Sequence, residues 1–163
     1  MSDSSNDKVK NKNDSKDFVK NIKNGLMKEK AVIKSEYIFA IIANLIILYI
    51  ANNIMNWNLS FISATFSQVL WAFNLAIGSA IIGNILFLFY DPSWFRHLLK
   101  VFMNILGLIA VYTFYIIFPL SFSHNLVSLG VIFALIVMMI AFALATAFEV
   151  FKIFFEIYQR TKS

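Results

Sequence analysis

Residues 126–148 read LVSLGVIFALIVMMIAFALATAF and contain no charged side chain. A helix rises about 1.5 Å per residue, so this run is long enough to cross a hydrocarbon core of about 30 Å. Buried helices of soluble proteins rarely need more than about 14 consecutive apolar residues. Three further runs are also long and apolar, with Arg96 and Lys100 only at the start of the third span, and together the predicted spans cover about 37–55, 69–90, 95–118 and 126–148. The sequence therefore predicts an all-α polytopic membrane protein, a four-transmembrane-helix bundle.

The composition agrees with a membrane domain at 37–148. Apolar residues make up 60% of the chain, charged residues only 14%, and the mean hydropathy is +0.72, whereas soluble domains carry roughly 25% charge. Residues 1–16 are polar and predict a disordered tail. Residues 17–36 form a basic juxtamembrane segment, for which a short amphipathic helix and a plain linker both stay open. Residues 149–163 predict a helical extension of the fourth span.

The distribution of positive charge predicts the orientation. All 14 lysines and arginines fall before span one, at the second connection or after span four. The first and third connections hold none. Because positively charged loops stay on the cytoplasmic side, we expect a multi-pass protein with both termini in the cytoplasm.

Residues of the kinds that enzymes use are few and dispersed. The chain has no cysteine, and its two histidines, His97 and His124, lie at opposite ends of a span. Glu149 is interpreted as a solvated partner of Lys152, His97 as part of a basic rim, and Asp91 as the cap of span three. No catalytic, cofactor-binding or metal-binding residue is predicted, so the chain is not expected to be an enzyme.

Three asparagines form a candidate intramembrane polar layer. Asn44, Asn84 and Asn104 all lie roughly 9 to 14 Å from the predicted cytoplasmic boundary, counting about 1.5 Å per residue. Amides in lipid should face inward and hydrogen-bond across helices. The layer then has two interpretations: interhelical glue, or a polar constriction on a solute path that Gln68 and Asn74 extend outward.

Small residues follow one face on two of the spans, where they let helices approach closely in lipid. Whether these faces pack within one chain or between chains is open. The predicted helix-packing residues are Ala72, Ala76, Ser79, Ala80 and Gly83 in span two, and Gly130, Ala134, Ala141 and Ala145 in span four.

Two functions fit these features. The first is a helix-packing accessory subunit or self-associating membrane scaffold, because small-residue faces occur without buried charge. The alternative is a small oligomeric channel or carrier with the asparagine layer on its path. The expected partners are the lipid bilayer, anionic headgroups bound by the lysine-rich N-terminal segment, and another copy or another membrane subunit. Acidic residues among the lysines argue against nucleic acid.

Overall fold

The computed structural model describes residues 34–162 of the protein. The predicted disordered tail at residues 1–16 lies outside the described residues, and so does most of the predicted juxtamembrane segment at 17–36. Short connections join the four long helices, and the first connection contains a 3-10 helix. The elements are α1 (Lys34–Trp57, with a 3-10 last turn at Ile54–Trp57), a 3-10 helix at Ala64–Gln68, α2 (Leu70–Phe89), α3 (Ser93–Ile117) and α4 (Asn125–Lys162).

The four long helices confirm the predicted all-α fold with four candidate membrane spans. All four are long and apolar enough to cross a membrane, and their bounds overlap the predicted spans. Large apolar side chains are widely exposed along them, including Phe39, Phe89 and Leu126. A soluble protein rarely exposes so much contiguous apolar surface, but a bilayer solvates it well. The chain is therefore a multi-pass membrane protein.

Helix α3 provides the main packing surface, because it packs along both α2 and α4. The buried residues of α2 are Ala72, Ile77, Gly83 and Phe87, and those of α3 are Ala110 and Val111. The small ones among them let the helices approach closely. By contrast, no residue in the most apolar stretch of α1 is buried, and only 6% of the residues in the corresponding stretch of α4 are buried. Much of the surface of α1 and α4 is thus available to lipid or to another protein.

The first and third connections are tied to each other. The Ser63 amide donates to the Pro119 carbonyl and the Ser121 amide to the Phe61 carbonyl, both at 2.9 Å. Phe118 ends α3 in the left-handed conformation, with φ 39°, immediately before Pro119. A cluster of Phe66, Phe73 and Phe114 packs below this pairing, with T-shaped contacts at centroid distances of 6.3 and 5.5 Å. The connections therefore fix the ends of α2 and α3.

Candidate functional site

An open cavity of about 470 Å³ lies among all four helices, and the three predicted asparagines line it. Asn44 reaches it from α1, Asn84 from α2 and Asn104 from α3. The other lining residues are apolar and include Met138 and Phe142 of α4. The structure thus brings together three amides that are far apart in sequence, on a wall that is otherwise apolar. We call this space the asparagine cavity.

The hydrogen bonds of these asparagines differ from the expected bonds across helices. The Nδ2 of Asn44 donates to the Ala40 carbonyl at 2.8 Å, and that of Asn84 to the Ala80 carbonyl at 2.7 Å. Both acceptors are four residues earlier in the same helix. Such a local bond competes with interhelical bonding because the carbonyl is already within reach. Among the residues that the structure describes, Asn104 makes no side-chain hydrogen bond.

An interhelical amide pair does form, but elsewhere in the bundle. Asn52 of α1 and Asn74 of α2 each donate Nδ2 to the other's Oδ1, at 2.7 and 3.0 Å. Asn74 therefore does not extend the asparagine cavity, and Gln68 ends the 3-10 helix before α2. This pair was not predicted from the sequence. Its signal was the similar distance of both asparagines from the first connection.

The two small-residue faces have different surroundings. In α2, Ala72 and Gly83 are buried, and a β-carbon added at Gly83 would lie 3.2 Å from Leu99 of α3 and closer still to Met103. Ala76 and Ala80 line the asparagine cavity, while Ser79 faces a second space between α2 and α3. This face is therefore used within the chain.

The face of α4 is open. Gly130, Ala134 and Ala141 are exposed, Ala145 is half-buried, and a β-carbon at Gly130 would meet no atom within 4 Å. An apolar depression of about 470 Å³ surrounds Gly130, and its walls come from α4 alone, including Leu129 and Phe133. The described part of the chain thus leaves this face without a packed helix.

A polar cluster joins α3 and α4 at the end where α3 begins. His97 Nδ1 lies 2.5 Å from Glu149 Oε2, and Lys152 Nζ lies 3.2 Å from Glu149 Oε1. The Glu149 side chain is only 12% exposed. Glu149 pairs with Lys152 as predicted, but the expectation that this carboxylate is solvated is wrong, and His97 bonds Glu149 instead of serving only as part of a basic rim. Helix packing places them together although 52 residues separate them.

Two further polar contacts lie at the same end. The Ser93 hydroxyl donates to Glu156 Oε1 at 2.5 Å, so the α4 extension packs beside the first turns of α3. Asp91 does not cap α3 as predicted: the helix is preceded by Pro92 without a side-chain cap. The Asp91 carboxylate instead accepts from Arg96 Nε at 2.5 Å and Nη2 at 2.8 Å. The guanidinium fork offers a carboxylate two bonds at once, which one backbone amide cannot match.

The described residues do not contain a group of three histidine, aspartate or glutamate side chains placed to hold a metal ion. Comparison with protein-family models, curated proteins and solved structures finds no match to this chain. The function is therefore inferred from the side chains themselves.

Proposed function

We propose that this chain is a non-enzymatic membrane protein that works by helix association, as an accessory subunit or self-associating scaffold, with α4 as the associating helix. The observation that carries the proposal is the open small-residue face of α4. At 100° per residue, Gly130, Ala134 and Ala141 lie within about 40° of one another. Their narrow stripe lets a second backbone come close.

The chemistry of lipid favours this use of the stripe. Lipid tails are as apolar as the side chains, so burial of apolar surface does not drive helices together in a bilayer. Close van der Waals contact does, and small residues allow it. The depression around Gly130 offers a hole into which a larger side chain of a partner helix fits. The stripe of α2 already serves α3, so α4 is the stronger candidate for contacts outside the chain.

Ala141→Leu is expected to weaken assembly about tenfold, equivalent to about 1.4 kcal/mol, since the added bulk separates the helices. Ala143→Leu is the matched control: Ala143 is also exposed on α4 but faces away from the stripe. The yield of chemically cross-linked complexes in native membranes measures the assembly of both variants. Equal yields for wild type and both variants would contradict an associating role for the stripe.

We infer an orientation with both termini in the cytoplasm, supported by the confinement of all 14 lysines and arginines to one side of the predicted spans. The lysine-rich N-terminal segment would then meet anionic headgroups of the inner leaflet.

Single cysteines at Ser60 and Ser123 should react with an impermeant maleimide from outside intact cells. A cysteine at Ser93 should react only after permeabilisation. All three positions are exposed, so accessibility to the reagent depends on the side of the membrane. Because the chain has no cysteine of its own, the signal comes from the introduced residue. Labelling of the cysteine at position 93 in intact cells would contradict the inferred orientation.

A small oligomeric channel or carrier is the second candidate, and the asparagine cavity is the observation that favours it. Amides from three helices provide neutral donors and acceptors on the wall of one cavity. Solute flux into proteoliposomes distinguishes this candidate from the first, since a scaffold requires none.

A further inference from the structure

The asparagine cavity combines unused hydrogen-bonding capacity with apolar walls. Within the described part of the chain, Asn104 has no side-chain partner, and the Oδ1 atoms of Asn44 and Asn84 accept no hydrogen bond. An amide in an apolar environment is costly unless its donors and acceptors are paired. A molecule that satisfies these amides therefore gains binding free energy that a hydrocarbon chain does not.

The rest of the wall is apolar and makes the asparagine cavity a poor site for water alone. The remaining lining residues, among them Phe73, Met103, Val111, Met138 and Phe142, are apolar. Only three amides are available to hydrogen-bond water in this space of about 470 Å³, so a water cluster there would form most of its hydrogen bonds within itself and would gain little from the wall. Apolar walls with a few convergent polar groups are instead typical of small-molecule sites, which measure about 300 to 1,000 Å³.

The absence of charge narrows the ligand class. The cavity is lined by no ionisable side chain among the described residues. A carboxylate or an ammonium group would lose its hydration there without gaining a counter-charge. A hydroxyl group matches an amide well, because it both donates to Oδ1 and accepts from Nδ2. The surrounding bilayer is a ready source of molecules with an apolar body and such a head.

We propose that the asparagine cavity binds a neutral single-chain amphiphile through a hydroxyl head held by Asn104, with Asn44 and Asn84 beside it. The apolar chain of the ligand lies against the methionine and phenylalanine side chains of α3 and α4. This site requires neither assembly through α4 nor transport, so it stands or fails separately from the proposed function.

Photolabelling of the full-length protein in phosphatidylcholine nanodiscs tests the site. The probe is dodecanol with a diazirine in its chain, compared with the same chain ending in a carboxylate or a trimethylammonium group. We expect the alcohol to label residues 103–111 of α3 or 138–142 of α4, at least about tenfold more than either charged probe. Unmodified dodecanol should compete with the diazirine alcohol and reduce labelling of the wild-type protein. This competition tests the site without any variant.

Two variants and a control locate the head and the chain of the probe. Asn104→Leu should reduce alcohol labelling about tenfold by removing the amide. Ala76→Leu keeps all three amides but fills the cavity, and should reduce labelling equally. Asn53→Leu is the control, because Asn53 donates to the Tyr49 carbonyl outside the cavity. Equal labelling by all three probes, labelling spread along the lipid-facing surface, or wild-type labelling of a folded Asn104→Leu protein would overturn the proposal.

Discussion

Gly107→Leu is expected to lower the free energy of unfolding by about 3 kcal/mol. A β-carbon at Gly107 would lie 2.6 Å from Cε1 and 2.8 Å from Cζ of Phe142. The phenyl ring is rigid and can move only as a whole, toward the asparagine cavity that it lines, so it yields less readily than the end of a flexible chain. Either the ring leaves its place or the helices separate, and close packing is lost along the interface of α3 with α4, which is more extensive than that of α3 with α2.

Two glycines of α2, Gly78 and Gly83, provide the comparison for Gly107 of α3. Gly78→Leu makes the same chemical change where a β-carbon meets nothing within 4 Å, so its stability should stay within about 0.5 kcal/mol of wild type. Gly83→Leu should fall between them, at about 1 to 2 kcal/mol, because Leu99 and Met103 have flexible ends. Unfolding by sodium dodecyl sulfate in bicelles, followed by circular dichroism, measures all three. Equal losses for Gly107→Leu and Gly78→Leu would contradict the packing of α3 on α4.

Glu149→Ala is expected to lower the free energy of unfolding by about 2 to 3 kcal/mol. The carboxylate bonds both His97 and Lys152, and it is mostly shielded from solvent. Its removal leaves the half-buried His97 ring without its acceptor on α4. The same unfolding measurement applies.

Glu156→Ala serves as the control for charge removal on the same helix. Glu156 contacts only the first residue of α3 in the contact that joins the two helices, the Ser93 hydroxyl, so its loss should cost less than about 1 kcal/mol. The double variant His97→Ala/Glu149→Ala should be about 1 kcal/mol or more less destabilised than the sum of the single variants, since both remove one contact. Additive losses would mean that the His97–Glu149 contact contributes nothing to stability.

The sequence was sufficient for the fold because long apolar runs and hydrogen-bonded backbones leave few alternatives in a bilayer. Counting residues along each span also assigned Asn44, Asn84 and Asn104 to one level. It could not assign their hydrogen bonds, because a carbonyl four residues away competes with partners on other helices. Whether these asparagines are glue or line a path stays a prediction.

The His97–Glu149 contact was beyond the sequence for a different reason. It depends on how far α4 is shifted along α3, and one helical turn of shift moves a side chain by about 5.4 Å. A boundary drawn from apolar content at Phe148 assigned Glu149 to solvent, whereas α3 continues beside it as far as Ser93. Asp91 could not be assigned from the sequence either. Its position suits a helix cap, but Arg96, five residues later, offers a stronger partner.

The most direct test of helix association through α4 is the mass of the complex extracted from its own membrane in native nanodiscs. One chain has a mass of 18.7 kDa. Association predicts a larger protein mass for the wild type, made of further copies or of a foreign subunit, and a shift toward the single chain in Ala141→Leu but not in Ala143→Leu. A wild-type protein that is extracted as a single chain of 18.7 kDa with no other subunit would contradict it.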